Sequence, residues 1–232
     1  MSRFEQQLQQ VLLQRKAQQL YRQRRELQSA QGTQVVVDGQ ALINFCSNDY
    51  LGLANHPALI EAASKALKQY GVGSGASHLV IGHSAEHHAL EEELAERVGC
   101  ERALLFSSGY QANIGVITAL CSKSDWVLQD KLNHASLIDG AQLAQARLSR
   151  YLHNDVESLK SRLAKAPNSA RKLVATDAVF SMDGDIAPLK EIAAVAGEHD
   201  AVLMVDDAHG FGVLGEAGAG SLSQLGLSTA DV

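Results

Sequence analysis

From Pro57 onward the chain alternates short apolar runs with longer helical segments, and this alternation constrains its fold more than any other feature. The runs RALLF, DWVLQD, SRYLH, RKLVATDAVF and AVLMVDDAH are separated by QANIGVITAL, SLIDGAQLAQA, DVESLKSRLAKA and LKEIAAVAGEHD, with HSAEHHALEEELAERVG ahead of the first. Parallel strands need long crossovers, and a helix is the usual one, so the pattern predicts an α/β fold. The expected sheet is largely parallel, apolar on both faces and covered by helices on each. One helix carries its own boundaries: Ser84 suits an N-cap, Leu90, Leu94 and Val98 recur at i+4, and Gly99 ends it.

Residues 1–56 read differently. Phe4, Leu8, Val11, Leu12 and Leu20 make a loose helical stripe over residues 4–28, expected to dock on a larger body. QVVVDGQALINF reads as a hairpin turned at Asp38-Gly39. The expected organisation is an N-terminal helix and hairpin segment over 1–56 and a large domain over 57–232.

In open α/β sheets ligands bind at the carboxyl ends of the strands, which directs attention to four places. SSGYQAN (107–113) follows the run ALLF and opens a helix. Its small residues can expose amide N–H groups at the positive end of a helix dipole, an anion cradle, or form an ordinary capped turn. His134 follows WVLQD, and Ser181 follows the run ending at Phe180, with Asp183 and Asp185 around Gly184 reading as a turn. LMVDDAHGFGVLG brings Asp206 to the end of a buried strand and His209 three residues later. A carboxylate there needs a partner: a cationic ligand nitrogen, an arginine or a helix cap.

Other motifs fail for stated reasons. GVGSGA (71–76) looks like a dinucleotide fingerprint, but a helical segment precedes it where a strand belongs. His83, His87 and His88 cluster with an i, i+4 pair, yet no HExxH pattern or cysteine supports a metal, and no metal site is expected. Ser181 lies in no G-x-S-x-G elbow, which disfavours a Ser-His-Asp hydrolase. The formal net charge of −6 leaves no basic surplus for nucleic acid or an anionic membrane surface. Neither a signal peptide nor a bilayer-length apolar run is present. Cys46, Cys100 and Cys121 are scattered, as suits a cytoplasmic protein.

An anion cradle, an imidazole, a hydroxyl and an Asp/His pair together suit a ligand with a phosphate, a flat ring and a ring nitrogen to be protonated, such as pyridoxal 5′-phosphate (PLP). FCSNDYLGL (45–53), GVGSGASHLVIGHSAEHHALEEELA (71–95), FSSGYQAN (106–113), NHASL (133–137), VFSMDGD (179–185) and VDDAHGFGVLGEAG (205–218) together resemble the α-oxoamine synthases, fold-type I PLP enzymes. The resemblance implies that Ser108, Gly109 and Tyr110 contact the cofactor phosphate or ring edge and that His134 stacks on the pyridine. It implies that Asp206 holds the ring nitrogen protonated and that Ser181 and His209 bond the region of the phenolic oxygen. Arg22 matches the position that meets the acyl substrate's carboxylate, with Arg24 and Arg25 as neighbours.

The implied reaction is decarboxylative condensation of L-alanine with a pimeloyl thioester, carried on CoA or acyl-carrier protein, on the route to biotin. A glycine-using sister synthase and a catalytically dead binding module on the same scaffold are the alternatives. The family's Schiff-base lysine lies in a T-x-G-K-like segment, and this chain reaches STADV before any such segment; Lys123, Lys131 and Lys172 stand in no matching motif. The chain is therefore expected to be the N-terminal part and most of the large domain of a longer, homodimeric enzyme, inactive by itself.

Overall fold

The computed structural model describes residues 1–232. The chain divides into two compact units, Met1–Gly73 and Ser74–Val232.

The first unit opens with helix α1 (Arg3–Ala17), started by a reciprocal cap between Ser2 and Glu5. It stops well short of residue 28: Gln18 caps it and Gln19 turns to a φ of 57°. None of its residues is buried. The hairpin is present as β1 (Gln34–Val37) and β2 (Gln40–Ile43), paired antiparallel. Asp38 and Gly39 take φ angles of 50° and 77°, the left-handed pair that a two-residue turn requires. Arg25 Nε, 2.8 Å from Asp38, and the Glu26 amide lock that carboxylate. Helix α2 (Pro57–Tyr70) runs directly into GVGSGA, so no strand precedes those glycines.

The second unit contains a four-stranded parallel sheet in the order β4-β3-β5-β6, built from β3 (Trp126–Asp130), β4 (Arg147–Tyr151), β5 (Lys172–Asp177) and β6 (Val202–Asp206). The helices are α3 (Ala85–Val98), α4 (Gly109–Leu120), α5 (Ala135–Leu143), α6 (Val156–Leu163) and α7 (Leu189–Glu198), with a short α8 (Ser221–Leu225). Helix α3 has the N-cap at Ser84 and the left-handed cap at Gly99 that the sequence specifies.

Alternation along the central strands sorts the core into two layers. Trp126, Leu128 and Val174 join Leu159, Leu163, Leu189 and Ile192 of α6 and α7. Val127, Leu173 and Ala175 join Ile117 of α4 and Leu137 and Ala141 of α5. Each fully buried leucine or isoleucine contributes about 1.5–3 kcal/mol by leaving water. The two-faced apolar character holds for β3 and β5, while the edge strands β4 and β6 are partly exposed. Residues 103–106, expected as a strand, join no ladder. Leu104 is 69% exposed, and the Leu105 amide donates instead to Glu91 at 3.0 Å. A run with strand composition but no neighbouring edge stays merely extended.

His153, just past β4, ties three segments together. Its Nδ1 lies 2.9 Å from the buried Asp130 and its Nε2 lies 2.8 Å from Asp185. Burial alone would lower the His153 pKa, but hydrogen bonds and charge from both carboxylates outweigh it and the net shift is upward. A pKa raised by folding gives stability that is complete below the unfolded value, near 6.5, and is lost as pH rises through the folded value. His153→Gln should therefore cost about 1–2 kcal/mol near pH 6 and less at alkaline pH. Melting curves of both proteins from about pH 5.5 to 9 check this; a Tm gap that widens with pH would contradict it.

Candidate functional site

The strand order reverses between β3 and β5, because the chain leaves β3 toward β4 and then crosses back over β3 to β5. A crevice opens outside the carboxyl ends of strands at such a reversal. Here it is a cavity of about 1150 Å³ lined by residues from the ends of β5 and β6 and from the starts of α4 and α5.

Side chains stitch the reversal. Asn133 donates to the Ala175 carbonyl at 2.7 Å, and its Oδ1 accepts from the Asp177 amide. Asp177 in turn accepts the His134 backbone amide at 2.7 Å. That fixes His134 as the N-cap of α5, its Nδ1 accepting from the Ser136 amide and standing 2.7 Å from Ser136 Oγ. The Tyr110 ring meets the imidazole edge to face, 6.1 Å between centroids.

Two carboxylates end neighbouring strands, since Asp177 and Asp206 are register partners. Burial pushes the Asp177 pKa up to about 6; the His134 amide opposes that shift and the Asp206 charge adds to it. Asp206 is held by Asn113 Nδ2 at 2.6 Å and by the Ala208 amide at 3.1 Å, both neutral donors. Of the partners the sequence allowed for Asp206, an arginine is not among these donors, and the carboxylate faces the cavity.

At the start of α4 the Ser108 hydroxyl is spent on capping, accepting the Gln111 amide at 3.2 Å, and the Ala112 amide bonds Ser108 O. The amides of Gly109 and Tyr110 remain at the positive end of the dipole, in residues that line the cavity. Ser181, in the exposed turn after β5, and the half-buried His209 line it too. The cavity thus gathers Gly109, Tyr110, His134, Ser181, Asp206 and His209; Ser108 is adjacent to it through its cap. Arg22 belongs to the first unit, exposed, in a groove shared with Val11, Leu12, Arg15 and Tyr21.

The histidine cluster departs from its expected geometry. His83 precedes α3, so it and His87 share no helix face; His87 completes the cap with Ser84. His83 instead pairs with His78, ring nitrogens 2.7 Å apart, and its other nitrogen lies 3.9 Å from Glu91. The short imidazole contact is a hydrogen bond, and it gathers ligand atoms of His78, His83 and Glu91 within 4.8 Å of one another.

Three residues of the site escaped sequence reasoning. Asp177 ends an apolar strand just as Asp206 does, and that shared signal could have found it. Asn113, one turn inside α4, and Ser136, in the first turn of α5, carried only the signal of being polar.

Asp207, beside Asp206, has a different task. It accepts the Ser221 amide at 2.8 Å and the Ser221 hydroxyl, bracing the segment 207–221 that borders the cavity. A β-carbon at Gly210 would land on the Asp207 and Ser221 oxygens. Gly210→Ala should therefore lower stability by about 1–3 kcal/mol, read as a shift of the urea midpoint; an unchanged midpoint would show that this brace yields freely.

The chain belongs to the aminotransferase class I and II family, whose model matches residues 40–231, and its α/β fold is the fold-type I transferase architecture. Among curated proteins it is similar to the 8-amino-7-oxononanoate synthase of Cellvibrio japonicus (strain Ueda107), 57% identical over 231 residues, covering 100% of this chain and 58% of that protein. Among solved structures it is similar to a serine palmitoyltransferase from Sphingomonas wittichii, with a TM-score of 0.90 and 38% identity over 96% of this chain and 57% of that one. A serine palmitoyltransferase from S. paucimobilis with bound PLP–myriocin matches with a TM-score of 0.89 and 33% identity, over 99% of this chain and 58% of that one. The chain spans a little over half the length of these relatives.

Proposed function

We propose that these 232 residues form the PLP cleft of an 8-amino-7-oxononanoate synthase, which condenses L-alanine with a pimeloyl thioester on CoA or acyl-carrier protein, losing carbon dioxide and free thiol, in biotin biosynthesis. The observation that carries the reading is the Asp206 carboxylate, oriented by two neutral amides at the wall of a cavity whose other end holds the amides of Gly109 and Tyr110. A protonated pyridine nitrogen would supply the missing positive partner, and a phosphate would satisfy the amides. Asn113 joins the two ends: it sits four residues, about 6 Å of helix rise, beyond Gly109 and bonds Asp206 directly. That span suits one phosphorylated pyridine.

When bound, the cofactor supplies an electron sink for negative charge at the amino acid's α-carbon. The chain's residues bind and orient. Asp206 would hold the proton on the ring nitrogen, His134 would stack on the ring, and Ser181 and His209 would meet the phenolic oxygen. Gly109 and Tyr110 would hold the phosphate, with Ser108 fixing the turn through its cap, and Arg22 would receive the acyl substrate's carboxylate. No lysine lines the cavity, so these residues would hold the cofactor without a covalent link.

Three free cysteines accord with a reducing cytoplasm, and no helix is long and apolar enough to cross a membrane. Leu79, Val80 and Ile81 stand 98%, 74% and 80% exposed in succession, an apolar patch suited to covering by a second copy of the chain. Light scattering should give a dimer mass for the full-length protein, and the double variant Leu79→Asp/Ile81→Asp should shift it to monomer; a monomeric parent would remove this part of the reading.

Turnover decides the rest. The 232-residue chain should bind PLP reversibly, with a spectral change, yet release no product, whereas full-length protein should turn over alanine faster than glycine. Asp206→Ala should cut that turnover on the order of 100- to 1,000-fold. Glycine preferred over alanine would indicate the sister synthase, and full-length protein that stays colourless with PLP would indicate a binding module.

A further inference from the structure

A buried polar pair inside the second unit links the two ring-facing groups of the site. Asn113 is 7% exposed and Ser136 fully buried, and neither touches solvent enough to be held by water. Asn113 Nδ2 lies 2.9 Å from Ser136 Oγ and 2.6 Å from Asp206 Oδ2. Ser136 Oγ lies 2.7 Å from His134 Nδ1, and the Ser136 amide donates to that same nitrogen.

Donor accounting leaves one arrangement. The carboxylate accepts, so the amino end of Asn113 must face it, and the two amide protons go to Asp206 and to Ser136 Oγ. The Ser136 amide points its proton at His134 Nδ1, which makes that nitrogen an acceptor, so Ser136 Oγ donates its proton there. That nitrogen now receives two donors and carries no proton of its own, which assigns the ring proton to Nε2. We infer that Asn113 and Ser136 are positioning residues: one relay that aims the Asp206 carboxylate and fixes His134 in the Nε2–H tautomer. The consequence for cofactor binding rests on the PLP reading above; the tautomer does not.

Long-range nitrogen–proton NMR of the histidine rings in the cofactor-free 232-residue chain tests the tautomer without any substitution. The His134 signals should show a protonated Nε2 and an unprotonated, hydrogen-bonded Nδ1, and Ser136→Ala, which removes the hydroxyl donor but keeps the backbone amide, should move the Nδ1 resonance toward that of a free unprotonated nitrogen. A wild-type proton on Nδ1, or an unchanged Ser136→Ala spectrum, overturns the relay at His134. For Asp206, Asn113→Ala should weaken PLP affinity about ten- to a hundredfold, the loss expected for one hydrogen bond to a charged group. Gln111→Ala, with an exposed side chain on the same helix, should leave affinity unchanged. Equal affinity of Asn113→Ala and wild type overturns the relay at Asp206. If wild-type chain binds no PLP, the functional reading fails and the ring spectrum alone decides the relay.

Discussion

The reversal of strand order between β3 and β5 is the constraint on which the second unit's chemistry depends. It sends neighbouring connections in opposite directions and leaves the carboxyl ends of the strands uncovered. Left alone, such a gap would expose backbone amides and carbonyls with no ladder to satisfy them. Asn133 and Asp177 close it by bonding across the two strands, and in doing so they set the position from which the α5 helix starts. The backbone of His134 is thus placed by side-chain stitching, and its ring is then held by the Ser136 amide and hydroxyl.

Asp177 and Asp206 show how position divides two like groups. Side by side at adjacent strand ends, they would repel if both were charged in a poor dielectric. Asp177 takes the buried place, where its pKa rises to about 6. Asp206 takes the cavity wall and is fed by neutral donors on both oxygens. A site built this way keeps one carboxylate for structure and leaves the other at the cavity wall, oriented by neutral donors.

Much of this was legible in the sequence, for reasons that differ by element. The βαβ alternation specified the parallel sheet because connection length and apolar runs are local properties, and Ser84 and Gly99 bounded α3 because caps are local as well. The hairpin turn at Asp38-Gly39 follows from the φ angles that only a few residue types tolerate. What failed depends on partners the sequence does not display. RALLF has strand composition, but no edge lies beside it. His83 sits one residue before the α3 cap, and that single residue removes it from the helix face shared by its neighbours. Asp206 was conspicuous as an acid closing an apolar run, whereas Asn113 and Ser136 draw their meaning from contacts 93 and 23 residues away in sequence.

The bracing of residues 207–221 by Asp207 bears on how the rim of the cavity can be redesigned. The segment is folded around a carboxylate that fills the space where side chains at Gly210 and Gly220 would go. Diversity introduced there competes with an oxygen atom rather than with empty room. The exposed Val213 and Glu216 carry no such conflict, so the segment accommodates variation at those two positions more readily than at the glycines between which they stand.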